Sequence, residues 1–155
     1  MTIHARDLMN PQPVAVRPED TIRYAFRQLC VLSIRHLLVM DGHALVGIVT
    51  DRDIRLALPS LPFVAEIADL YLKLDDVRVR DVMTRDVITV APDAPLADIV
   101  EQFLGRHISG LPVVQGDRVV GIVTETDALR ALRQLLGEME KPRPEPAAAF
   151  AAVAR

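Results

Sequence analysis

The stretch VGIVTDRD at residues 46–53 returns 74 residues later as VGIVTETD at residues 120–127. The same shift places Asp7 on Asp81 without a gap, and matched residues continue over about fifty positions. Self-similarity at one fixed spacing indicates two copies of one supersecondary unit. We therefore expect the fold to consist of two related halves.

Each copy predicts the element order β-α-β-β-α. Short apolar runs at 14–16 and 87–90 predict a first strand, and apolar residues at i, i+3, i+4, i+7 and i+8 follow at 22–30 and 96–104, as in an amphipathic helix. Two apolar runs around a glycine turn then predict a β-hairpin before a second helix. The fold class is α/β (α+β). Cys30 falls on the apolar stripe of the first helix, so we expect it to be buried and inert.

The repeat divides the chain into four parts. We predict a first repeat at 7–58, a connecting and helical segment at 59–79, a second repeat at 80–136 and a flexible tail at 141–155. One copy of about fifty residues buries little core by itself. Each copy must therefore be covered by the other.

The composition excludes several classes of protein. The 155 residues carry 18 Lys and Arg against 21 Asp and Glu, so the basic surplus of a nucleic-acid binder is missing. The single cysteine cannot form an internal disulfide, and neither a signal peptide nor a long apolar run is present. We expect a cytoplasmic protein with no nucleic-acid or membrane partner. Neither a nucleophile with a base nor a metal-ligand cluster is apparent, so we expect no catalytic site, no metal site and no enzyme.

The pairs Thr50 with Asp53 and Thr124 with Asp127 follow a buried strand and open a helix. A threonine followed three residues later by an acid is close to a helix capping box. The same carboxylate could accept hydrogen bonds from a vicinal diol, and helix N-terminal amides favour phosphate. Spacing alone leaves both interpretations open.

These residues carry a family resemblance. Two units that open near Asp-Leu-Met or Asp-Val-Met and close on Gly-Ile-Val-Thr-x-x-Asp resemble a tandem pair of cystathionine β-synthase (CBS) domains, the Bateman module. The matched runs IRHLLVM at 34–40 and ISGLPVV at 108–114 strengthen it. The resemblance implies a pseudo-two-fold pair with two clefts that bind adenine nucleotides or related adenosyl compounds.

The resemblance also implies the residues of both clefts. Thr50 and Asp53 would contact ribose or phosphate opposite Ile88 and Ile108. In the second cleft the equivalent residues are Thr124 and Asp127, with Val14 and Ile34 as walls, and the pairs Arg35-His36 and Ser109-Gly110 would face the ligand. We expect the Thr50 cleft to suit a phosphorylated ligand better, because arginine can donate two parallel bonds to phosphate. From the sequence alone, Arg35 is as readily a solvated cation, and His36 a backbone-bonded histidine.

The resemblance implies a regulatory role. No cofactor is required, and AMP, ADP, ATP or S-adenosylmethionine would act as a regulatory ligand that modulates self-association or an unknown partner protein. A homodimer is expected, through Ile54, Leu58, Leu129 and Leu132. The alternative is a ligand-free module for dimerisation or for docking onto an enzyme or transporter.

Overall fold

The computed structural model describes residues 2–57 and 74–139. Leu58, the connecting segment up to residue 73 and the tail at 141–155 lie outside the described residues. Of the connecting segment, residues 74–76 are helical.

Helices and two small sheets make up the described chain, which confirms the predicted fold class. The sheets have the strand orders β1-β2-β3 and β4-β5. The strands are β1 (Ala15–Val16), β2 (His36–Asp41), β3 (Ala44–Thr50), β4 (Gly110–Gln115) and β5 (Arg118–Thr124). The helices are α1 (Ala5–Leu8), α2 (Ile22–Leu32), α3 (Asp51–Ala57), α4 (Val79–Val82), α5 (Leu96–Arg106) and α6 (Glu125–Met139).

Both predicted hairpins form with the same geometry. Strands β2 and β3 pair antiparallel, as do β4 and β5. Gly42 and Gly116 stand at the turns with φ of 60° and 62°, a region that glycine enters without steric cost. The hairpins bring Thr50 and Thr124 to the end of a strand and the start of a helix.

The first strand differs between the copies. In the first copy β1 pairs in parallel with β2, whereas in the second a single bridge joins Val90 to Val113. The predicted strand at 87–90 is therefore reduced to one residue. Its backbone bonds remain, because Val90 accepts from the amide of Val114 at 2.9 Å and donates to Pro112 at 3.0 Å.

The opening segment of each repeat packs against the other repeat. The amide of Ala5 donates to Ala94 at 2.9 Å, and the equivalent Val79 donates to Asp20 at 2.8 Å. Asn10 exchanges two backbone bonds with Ile122, at 2.8 and 3.0 Å. The short helices α1 and α4 thus pack on the opposite repeat, and their residues join its core.

Glycines in the two hairpins make room for the exchanged segments. A Cβ placed on Gly47 would lie 2.5 Å from Sδ of Met83, and one on Gly121 would lie 2.7 Å from Sδ of Met9. Real Cβ atoms do not approach other atoms so closely. The methionines that match in the repeat therefore each cover a glycine of the other copy.

Only part of the predicted apolar stripe on α2 is buried. Ile22, Ala25 and Leu29 are within the core, but Phe26 is 39% exposed and Cys30 is exposed. Residues 26 and 30 each follow a buried neighbour and are rotated from it by about 100° around the helix. The expectation that Cys30 is buried was wrong, which removes the ground on which its inertness was expected.

Of the residues predicted to form a dimer, one is buried and two are exposed in the described part of the chain. Ile54 is fully buried in the core of the first repeat, so it was wrongly assigned to a contact between chains. Leu129 and Leu132 are 64% and 48% exposed on α6.

Among the described helices, none combines the length and apolar character needed to cross a membrane.

Candidate functional site

Two clefts lie between the repeats, one on each side of the meeting point of β2 and β4. The larger has a volume of about 810 Å³ and the smaller about 230 Å³. Binding pockets for small molecules usually measure about 300–1,000 Å³. The large cleft is therefore the size expected for a whole nucleotide, and the small one is tighter.

The large cleft combines residues of both repeats. Thr50 and Asp53 lie on its first-repeat side, with Ile88 and Ile108 on the second-repeat side. Further lining residues include Arg35, His36, Arg52, Thr84, Asp86, His107, Ser109, Gly110 and Glu125. The cleft thus combines aliphatic walls with two arginines and four acidic side chains, those of Asp51, Asp53, Asp86 and Glu125.

Thr50 and Asp53 form the capping box at the start of α3. Oδ2 of Asp53 accepts from the Thr50 amide at 2.8 Å and from the Thr50 hydroxyl at 2.7 Å, while the Asp53 amide donates to Oγ1 of Thr50 at 3.2 Å. Within the described chain no hydrogen bond reaches Oδ1 of Asp53. One carboxylate oxygen caps the helix, and the other remains able to accept from a ligand.

The small cleft is built on the equivalent pair. Oδ2 of Asp127 accepts from the Thr124 amide at 2.9 Å and from its hydroxyl at 2.6 Å. Here Oδ1 is also occupied, because Arg130 donates to it at 3.1 Å. Val14 and Ile34 line this cleft together with Thr124 and Asp127. The two clefts are built from equivalent residues, but Oδ1 of Asp53 has no hydrogen-bond partner among the described residues whereas Oδ1 of Asp127 has one.

His36 stands between the clefts and lines both. Its Nε2 lies 2.8 Å from the hydroxyl of Ser109, and a Cβ on Gly110 would lie 2.7 Å from its Cδ2. The imidazole therefore fills the space above a glycine of the other repeat. Burial, and then the charge of Arg35, lower the pKa of His36 below its ordinary value, against the opposite pull of nearby aspartates.

The structure brings the sequence-predicted residues together in two groups. Arg35, His36 and Ser109 line both clefts; Thr50, Asp53, Ile88, Ile108 and Gly110 line the large one; Val14, Ile34, Thr124 and Asp127 line the small one. Arg35 and His36 were predicted to face the ligand, but their position between the two clefts was not predicted.

Several lining residues were not predicted from the sequence, among them Arg130 and His107. Arg130 follows Asp127 by three residues, a spacing that places both on one helix face, but its repeat counterpart is Leu56 and gave no signal. His107 ends α5 with φ of 54°, matching Ser33 after α2 with φ of 52°. This shared left-handed geometry puts His107 in the large cleft and Ser33 in the small one.

Another hollow of about 820 Å³ lies on the first repeat alone, beside β1 and the β2–β3 turn. It contains neither Thr-x-x-Asp pair, and arginine and acidic side chains line it from one repeat only. Among residues 2–57 and 74–139 no three His, Cys, Asp or Glu side chains are placed to hold one metal ion. The clefts between the repeats are the candidate site.

Comparison with known proteins gives consistent matches. The family model of the CBS domain matches residues 5–60 and 79–134. A CBS domain-containing protein of Dictyostelium discoideum is 32% identical over 139 residues, which cover 88% of this chain and 95% of that protein. Three matched enzymes are much longer, since the chain spans 13%, 22% and 24% of their lengths.

Two solved structures were determined with adenosyl ligands. The crystal structure of CBSX2 in complex with AMP, a protein from Arabidopsis thaliana, is 29% identical with a TM-score of 0.70, and the match covers 86% of this chain and 98% of that one. The CBS domain pair of protein MJ0100, in complex with 5-methylthioadenosine and S-adenosyl-L-methionine, is 30% identical with a TM-score of 0.70 and is covered completely by 90% of this chain.

Proposed function

This chain belongs to the CBS domain family, and from that premise we propose that it is a regulatory module that binds an adenine nucleotide or a related adenosyl compound between its two repeats. Two structural relatives, near 30% identical, were solved with such compounds. Ligand binding would change how the repeats pack and so modulate self-association or a partner protein. A cytoplasmic location stays a prediction from the sequence.

The observation that carries the proposal is the large cleft. Oδ1 of Asp53 has no partner among the described residues, and Asp53 lines the same cleft as the aliphatic walls Ile88 and Ile108. A carboxylate can accept from both hydroxyls of a ribose, and an adenine ring needs flat apolar walls. Arg35 and Arg52 line this cleft too, which favours a ligand that carries phosphate.

The direct test is a binding screen of the whole chain. We expect AMP, ADP, ATP or S-adenosylmethionine to give saturable heat in calorimetry and to raise the melting temperature, because a ligand that binds only the folded state stabilises it by mass action. Methyl NMR then locates the ligand, with Ile108 as reporter of the large cleft and Ile34 as reporter of the small one. No response to any of the four at millimolar concentration would overturn the proposal.

A second candidate function, assembly, has one observation in its favour. Leu129, Leu132 and Leu136 are 64%, 48% and 49% exposed on α6, and their spacing of three and four residues places them on one helix face. We propose that this stripe contributes to a homodimer. Light scattering should find a dimer that Leu132→Glu converts to monomer, while Arg133→Glu leaves it intact. A monomeric native chain would contradict this assembly.

A further inference from the structure

The two clefts are not separate sites, because three residues line both of them. Arg35, His36 and Ser109 stand between the large and the small cleft. The His36 ring is fixed there by its contact of 2.8 Å with the Ser109 hydroxyl and by close packing on Gly110. A group that forms this partition is available to ligands on either side.

Arg35 is the cation of this partition. Its side chain is exposed, and it forms no ion pair with any other described residue. The repeat offers no second copy of it, since the equivalent position is Ser109. Burial, and then the charge of Arg35, lower the pKa of His36, which favours its neutral ring.

The small cleft depends on Arg35 more than the large one does. The large cleft is also lined by Arg52, for which no ion pair is found within the described chain. In the small cleft the other arginine is Arg130, and its guanidinium already bonds to Asp127 at 3.1 Å. An anion in the small cleft would therefore find Arg35 as its uncommitted arginine among the described lining residues.

We propose that Arg35 is a single phosphate-binding cation shared by the two clefts, so that an anionic ligand in the large cleft weakens the binding of a second anionic ligand in the small one. This rests on the proposed function. A phosphate that takes two parallel hydrogen bonds from Arg35 leaves that edge of the guanidinium unavailable to a phosphate in the other cleft. A ligand without phosphate does not compete for Arg35, so the antagonism is specific to anionic ligands.

The test measures the AMP affinity of the small cleft with the large cleft open or blocked. The Ile34 methyl reports the small cleft and the Ile108 methyl the large one, because each lines one cleft alone. Ile88→Trp would obstruct the aliphatic wall of the large cleft without changing charge. We expect AMP to bind the small cleft about fivefold more tightly in Ile88→Trp than in the native chain, as for a modest coupling between sites.

Two comparisons isolate the shared arginine. In an Arg35→Ala background, Ile88→Trp should leave the AMP affinity of the small cleft unchanged, whereas in an Arg52→Ala background the difference should persist. Adenosine, which lacks phosphate, should bind the small cleft equally with or without the block. If Ile88→Trp fails to fold, Asp53→Ala weakens AMP binding in the large cleft instead, and the same variant in the Arg35→Ala background shows any effect of the lost carboxylate that does not pass through Arg35.

The outcomes separate this proposal from the one it rests on. If neither methyl responds to AMP, ADP, ATP or S-adenosylmethionine, the proposed function fails. If Ile108 responds but blocking the large cleft leaves the Ile34 titration unchanged or absent, sharing of Arg35 is overturned while binding in the large cleft stands. A tightening that survives Arg35→Ala would equally overturn it.

Discussion

Replacing Asp53 by asparagine or by alanine separates the two roles of this carboxylate. Oδ2 accepts two hydrogen bonds from Thr50, at 2.8 and 2.7 Å, while Oδ1 has no partner among the described residues and Asp53 lines the large cleft. Asparagine can keep its oxygen on Thr50 and then presents an NH₂ group, which donates rather than accepts, where Oδ1 stood. Alanine removes both functions.

The expected sizes follow from these contacts. A hydrogen bond to a charged group contributes about 1.5–3 kcal/mol, so both variants should weaken AMP binding in the large cleft by about tenfold to a hundredfold. Loss of a helix cap costs about 1 kcal/mol, which in a domain of this size lowers the melting temperature by about 2–4 °C. Asp53→Ala should show this drop, and Asp53→Asn a smaller one.

Calorimetry with AMP and thermal melts without ligand measure the two effects. Asp127→Asn is the matched control, because Oδ1 of Asp127 is already bonded to Arg130 and the variant leaves the large cleft intact. The Ile108 response to AMP should therefore be native in Asp127→Asn and weakened in Asp53→Asn. Native AMP affinity in Asp53→Asn would refute the assignment of Oδ1 as a ligand acceptor.

Three further predictions concern the partition and the exchanged segments. Burial, and then Arg35, lower the pKa of His36, so the unfolded chain binds this proton more readily than the folded chain. The free energy of unfolding should therefore fall as pH drops through 6.5. Thermal melts from pH 7.5 to 5.5 should lose this pH-dependent destabilisation in His36→Gln and keep it in His43→Gln. Gly110→Ala places a Cβ 2.7 Å from His36 and should cost about 1–3 kcal/mol in denaturant unfolding, whereas Gly105→Ala, with open space around it, should stabilise its helix by about 0.5–1 kcal/mol; equal effects would contradict the packing. Met9→Ala should destabilise the second repeat by about 2 kcal/mol, which should appear as faster amide hydrogen exchange in β5 than in β3. Faster amide hydrogen exchange in β3 instead would refute the packing of each opening segment on the other repeat.

The fold could be predicted from the sequence because the same pattern of apolar residues and turn glycines occurs in both copies. Hydrophobic period and turn glycines predicted both hairpins and the helices after them, and the structure contains them. The exchange of opening segments did not follow, for a physical reason. Met9 and Met83 are the same residue type, as are Gly47 and Gly121, so packing within a copy and packing between copies satisfy the same sequence pattern.

The candidate site was predictable where the two copies agree. Thr50 with Asp53 and Thr124 with Asp127 each end a buried strand and start a helix, and hairpin geometry alone carries them to a cleft edge. The capping interpretation holds for Asp53, and the ligand-binding interpretation stays a prediction that the cap does not exclude, because a cap uses one carboxylate oxygen and leaves the other. Sequence spacing could not reveal this, since the free oxygen of Asp53 and the occupied one of Asp127 differ through a side chain outside the motif.

The positions where the copies disagree explain why the two clefts are unequal. A symmetric pair would place two like side chains opposite each other where β2 meets β4, and two imidazoles could not occupy the space above one glycine Cα. His36 against Gly110 resolves that crowding, and Arg35 against Ser109 leaves one guanidinium for two clefts. Packing accounts for the first asymmetry, whereas Ser109 does not require an arginine opposite it. An exposed arginine at the boundary of both clefts fits the proposed binding of anionic ligands there.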